Sequence, residues 1–113
     1  AAILNSKLTI VGSGSSLSSI FLKAPLKVSS GGELVIENLT LRGLGDSVLD
    51  ITNSSLSLLH VRIGKYEGSC IKLNDSTNVS IKRSEFYNCN VGIDGKFDDV
   101  EPKIEIVESI ISS

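Results

Sequence analysis

The chain has 113 residues, 41% hydrophobic and 21% charged, with a net charge of −2. That length suits one domain, 1–113, and the composition excludes a disordered or fibrous polymer. The near-neutral balance offers no footprint for nucleic acid, and no apolar run approaches the roughly 20 residues that span a bilayer.

Aromatic residues are scarce (three Phe, two Tyr, no Trp), and only two Pro occur among ten Gly. The apolar content is Leu, Ile and Val, whose β-branched members favour strands. In chain order, the first apolar-x-apolar triplets are Leu8-Thr9-Ile10, Ile20-Phe21-Leu22 and Leu26-Lys27-Val28. Leu34-Val35-Ile36, Leu39-Thr40-Leu41 and Leu49-Asp50-Ile51 then repeat the scheme. Leu56-Ser57-Leu58, Val61-Arg62-Ile63 and Ile71-Lys72-Leu73 form a third set. Val79-Ser80-Ile81, Ser84-Glu85-Phe86 and Ile93-Asp94-Gly95 form a fourth, followed by Ile104-Glu105-Ile106 and Ser109-Ile110-Ile111.

The leading triplets start at 34, 56, 79 and 104, spacings of 22, 23 and 25 residues. Alternation over three residues predicts short strands with one buried face. Three such strands cannot bury that face alone, whereas stacked repeats line a shared core. The prediction is an all-β, single-domain, right-handed parallel β-helix (a solenoid) of about four and a half rungs, each of three short strands. An antiparallel sandwich would need no fixed period and would favour hairpin dipeptides; the single Asp-Gly, Asp94-Gly95, falls at a predicted strand end. The inward positions of Ser84 and Ser109 leave the register of the last two second strands open.

Lys7-Leu8-Thr9-Ile10-Val11-Gly12-Ser13-Gly14 and the run from Gly31 through Gly43 resemble the opening rungs of the pectate-lyase-like right-handed β-helices. Asn90-Val91-Gly92-Ile93 resembles their repeat unit, and the likeness extends from about Lys7 to Ile111. The resemblance implies the fold; that superfamily holds lyases, hydrolases, esterases, adhesins and tail-fibre proteins. It also implies that an active site would lie outside the first sheet. There the outward residues are Thr9, Val35, Ser57, Ser80 and Glu105, without a carboxylate cluster or a positioned basic residue. The expectation is therefore a protein that is not an enzyme.

The third sheet's outward column reads Lys27, Asp50, Lys72, Asp94. Asp50 and Asp94 would stand two rungs apart, within reach of an inverting carboxylate pair. Lys72 would fill the gap between them, so the column reads better as a structural charge ladder. Arg62 above Glu85 follows the same logic. His60, the only histidine, falls at a turn position shared with Asn38, Arg83 and Glu108, with no partner at metal-ligand spacing. Asp98-Asp99-Val100-Glu101 reads as a solvated loop in preference to a calcium site. No cofactor motif is present.

Asn38, Asn53, Asn74 and Asn78 each begin an Asn-x-Ser/Thr triplet, the N-glycosylation acceptor pattern. The excess points to a secreted, extracellular or cell-surface protein, although Asn and Ser also crowd the turns of any β-rich chain. The lack of Met fits removal of a signal peptide before Ala1, and aminopeptidase trimming leaves the same result. Cys70 and Cys89 fall on neighbouring rungs, but the repeat offsets them by three or four positions. A disulfide and two free thiols both stay open, since Cα atoms more than about 7 Å apart cannot be bridged.

Ala1-Ala2-Ile3-Leu4 is too short for a capping helix. Leu8 and Ile10 at one end, and Ile104, Ile106, Ile110 and Ile111 at the other, mark edges able to pair with another chain. The favoured function is a structural subunit that stacks head to tail as a homo-oligomer and builds a fibre. A carbohydrate-binding or adhesive module, or a fragment of a polysaccharide lyase or hydrolase, are the alternatives, and a glycan is a further expected partner.

Overall fold

The computed structural model describes residues 3–4, 7–12, 19–29, 31–43, 46–65, 68–75, 78–96 and 103–111. Its strands are β1 (Ile3–Leu4), β2 (Lys7–Val11), β3 (Ser19–Leu22), β4 (Leu26–Val28), β5 (Glu33–Gly43), β6 (Ser47–Thr52) and β7 (Ser55–Lys65). They continue with β8 (Ser69–Asn74), β9 (Asn78–Lys82), β10 (Glu85–Tyr87), β11 (Val91–Lys96), β12 (Lys103–Val107) and β13 (Ile110–Ile111). No helix occurs among the described residues, and every strand pairing is parallel. The strands stack as an all-β solenoid of about four turns.

Two sheets form the walls. The flat one has the order β1-β4-β6-β8-β11, and an eight-stranded bent sheet carries the rest. The first two strands of the middle turns are not separate, because β5 and β7 each run for 11 residues through a corner. Asn38, His60, Arg83 and Glu108 make that corner on successive turns, each with φ between 49° and 58°. One left-handed residue redirects the strand without a loop. Asn tolerates that region best among non-glycine residues, which gives Asn38 a structural reason to be Asn. Asn53, with φ 48°, makes the turn between β6 and β7 in the same way.

Inward columns fill the core. Leu34, Leu56 and Val79 stack in register, as do Ile36, Leu58 and Ile81, then Leu41, Ile63 and Phe86. Leu49 and Ile71, then Ile51 and Leu73, close the core from the flat sheet. All of these are at most 3% exposed.

Glu85 pairs with Arg62 and Phe86 with Ile63, so Ser84 stands beside Val61 at the corner, just outside β10. This settles the open register. Ser84 is buried, and its Oγ accepts the Val61 N–H (3.1 Å) while donating to the Lys82 carbonyl (2.9 Å). Ser109 repeats the device, accepting the Ser84 N–H (3.1 Å) and donating to the Val107 carbonyl (2.8 Å). The left-handed corner interrupts the backbone ladder, and the hydroxyl bridges the interruption. An inward serine is therefore a hydrogen-bond link between turns. Ser84→Ala leaves the Val61 N–H buried without that acceptor, and should lower unfolding stability by about 1–3 kcal/mol. Urea denaturation with an unchanged m-value would register the loss.

Residues Ile3–Leu4 form β1, which pairs with β4. Ile3 lies in register with Lys27 and Leu4 with Val28, so β1 adds a fifth level to the flat sheet.

Candidate functional site

The outer face of the bent sheet's first arm carries a shallow groove of about 760 Å³ that crosses four turns. One outward column runs Glu33, Ser55, Asn78, Lys103, and its neighbour runs Val35, Ser57, Ser80, Glu105. Small hydroxyl and amide side chains form the floor because strand alternation sends every second residue outward. Lys7 pairs with Glu33 at one end (4.0 Å), and Lys82 with Glu105 at the other (3.4 Å). Glu33 and Glu105 lie three rungs apart, about 14 Å at the usual strand spacing. A glycosidase pair needs separations of about 5 to 9.5 Å.

The flat sheet places Lys27, Asp50, Lys72 and Asp94 in one column, as the repeat predicts. Their expected ion pairs do not close. Asp50 Oδ1 is buried without a hydrogen-bond partner, and neither flanking lysine comes within ion-pair distance. Among the described residues, the closed pairs all lie on the bent sheet: Lys7–Glu33, Arg62–Glu85 (2.8 Å), Lys82–Glu105 and Arg83–Glu108 (3.6 Å). Long lysine stems lean toward solvent when the Coulomb gain is small, and exposed pairs are worth only roughly 0–1 kcal/mol.

Arg62 adds a contact absent from the repeat pattern, lying 4.7 Å from the centroid of the Tyr87 ring. Gly64 is in register with Tyr87, and a Cβ there would fall 2.4 Å from the ring. The glycine clears a bed on which the ring lies flat beneath the guanidinium, a favourable cation–π geometry. A glycine one turn before an aromatic residue was the available signal.

The two cysteines are bonded, with Cα atoms 5.6 Å apart. Ser69 pairs with Val91 and Ile71 with Ile93, so Cys89 does sit three positions ahead of the residue opposite Cys70. The offset is the one the repeat predicts, and of the two states left open it is the disulfide that forms. Asn88, with φ 57°, folds the chain back and tucks Cys89 into the core beside Cys70.

His60 is an exposed corner residue, and no cluster of three or more metal-ligating side chains occurs among the described residues. The stretch 98–101 lies outside them. Of the glycosylation triplets, Asn53 and Asn78 are exposed, whereas Asn38 and Asn74 are half-buried.

At the ends, the inward columns open to solvent. Leu8 is 38% exposed, Ile104 42% and Ile106 45%, against 0–3% for Leu34, Leu56 and Val79 inside the same first-arm sheet, while Ile110 (61%) lies in register with outward-facing Glu85 and Arg62. Ile10 is half-buried against the core, and Ile111 is described only as part of β13, in register with Phe86. Comparison with protein families, curated proteins and solved structures finds no match to this chain.

Proposed function

We propose that this chain is an extracellular structural module, a pectate-lyase-like right-handed β-helix without catalytic activity, whose end strands accept further β-rungs and so build a fibre. The observation that carries this reading is the exposure of core-facing Leu8, Ile104 and Ile106 on β2 and β12, the outermost first-arm strands among the described residues. A parallel edge with apolar inward residues is a template for strand addition, since it offers both backbone hydrogen bonds and a core to extend. The buried disulfide supports an oxidising compartment. Stacked charge pairs supply register to such an assembly more than strength.

Sedimentation velocity and negative-stain imaging of the purified chain test it. The expected product is an unbranched rod that lengthens by whole copies of the chain. A monodisperse monomer at high concentration would sink the proposal.

A second reading rests on the groove, whose Ser55, Ser57, Asn78 and Ser80 floor offers hydroxyl and amide partners to a saccharide. The wide Glu33–Glu105 separation favours binding over hydrolysis. Glycan-array binding without cleavage of polygalacturonate would select this reading, and cleavage would instead select an enzyme.

A further inference from the structure

We infer that the groove is a modification site: the side-chain amide of Asn78 carries an N-linked glycan whose first sugar lies over Ser55, Ser57 and Ser80. This rests on the extracellular part of the function proposed above and not on stacking. Of the four acceptor triplets, Asn78-Val79-Ser80 is the one whose Asn and hydroxyl residue both line the groove. Strand alternation sends residues two apart to the same face, so Asn78 and Ser80 stand outward, about 6.6 Å apart, on either side of buried Val79. The acceptor pattern asks for that pair, an amide with a hydroxyl two residues on.

Asn78 is exposed, and in the preceding turn Ser55 lies in register with it and Ser57 with Ser80. Serine side chains are short enough to leave room above them for a sugar ring, and their hydroxyls both donate and accept. Two of the other triplets lack this setting. Asn38 is half-buried at a corner packed so closely that a Cβ on Gly12 would collide with the Asn38 carbonyl. Asn74 is half-buried between Thr52 and Lys96 on neighbouring turns of the flat sheet. Asn53 is exposed at the turn leading into β7, a second accessible acceptor outside the groove.

The reaction is a glycosyl transfer. Asn78 Nδ2 bonds to the anomeric carbon of an oligosaccharide carried on a lipid diphosphate. That carbon's bond to the diphosphate oxygen breaks, the lipid diphosphate leaves with the electron pair, and the amide gives up one proton. Donor and transferase belong to the oxidising secretory compartment to which the Cys70–Cys89 disulfide also points. Transfer meets the chain before it folds, so the fold's part is to keep the added glycan in water. A glycan at Asn78 closes the groove to an external polymer, and on the native chain it stands in place of the saccharide-binding reading.

Peptide mass spectrometry of the chain recovered from its native source tests this, after an amidase removes N-glycans in isotope-labelled water. Asn78 should be read as labelled Asp, the residue that cleavage leaves, while Asn38 and Asn74 stay Asn. In a glycosylating host, Ser80→Ala keeps the amide but should lose this one glycan and run faster on a gel. Ser80→Thr should keep it, and circular dichroism confirms that both variants fold. Chain recovered outside the cell with Asn78 unmodified, a glycan on Asn38 or Asn74 in its place, or an unchanged Ser80→Ala band would overturn the inference alone. Chain recovered inside the cell with Cys70 and Cys89 as thiols would overturn the extracellular reading, and this inference with it.

Discussion

Phe86→Ala should destabilise the chain by about 3–5 kcal/mol, the usual cost of removing a large buried aromatic side chain. Phe86 is the largest fully buried side chain among the described residues, and it continues the inward column in which the two preceding turns carry Leu41 and Ile63. The extra volume of the ring lies at the level where the corner residue is Ser84 instead of Leu39 or Val61. Truncating the ring to a methyl group removes that buried volume from a close-packed core. Against a typical total stability of about 5–15 kcal/mol, this is a large share.

In a solenoid each turn contacts chiefly its neighbours, so the loss should spread unevenly. Hydrogen exchange should show protection falling first in β9 to β13, with β5 and β7 retained longer. Uniform loss across all strands would argue for a single cooperative unit instead. Phe86→Leu, which keeps most of the apolar volume, should cost far less than Phe86→Ala.

The repeat was legible because its physical demand is strict. Every inward position must be apolar and every turn must return to the same place, so Leu34, Leu56 and Val79 recur at nearly fixed spacing. The details that escaped the pattern are those in which backbone geometry overrules residue type. Ser84 looks like a fault in an apolar column, because nothing in the sequence announces that a left-handed residue at Arg83 will interrupt the strand ladder. Once that bend exists, serine is the residue that restores the hydrogen bond.

The ladder of Lys27, Asp50, Lys72 and Asp94 shows the opposite case. Its column was correctly read and its contacts were not, because register fixes Cβ positions and leaves long side chains free to stay hydrated. Of the candidate site, the outward serines were visible as a column. The groove they floor was not, because concavity depends on how the walls bend.

Reduction of the Cys70–Cys89 bond should lower stability by about 3 kcal/mol, the chain-entropy value for a loop of roughly 20 residues. The two cysteines are 19 apart in sequence, and the segment between them includes β9 and β10. The bond thus closes nearly one full turn on itself. A turn held covalently cannot peel away from its neighbour by unwinding at the αL bend of Asn88, the point where the chain otherwise relies on a single left-handed residue. Both residues are at most 1% exposed, so a reductant reaches the bond only through opening of the surrounding turns.

Two measurements follow from that geometry. Thiol trapping should be slow in the native state and fast in denaturant. Cys70→Ala with Cys89→Ala should shift the denaturation midpoint in parallel with reduction of the parent chain. Rapid trapping of two thiols under native conditions would mean that the turn opens freely, and an unshifted midpoint would mean that packing alone holds it. If the bond does hold this turn, it also holds β10, the strand on which β13 stacks. Reduction should then weaken end-to-end assembly more than the loss of folded chain accounts for.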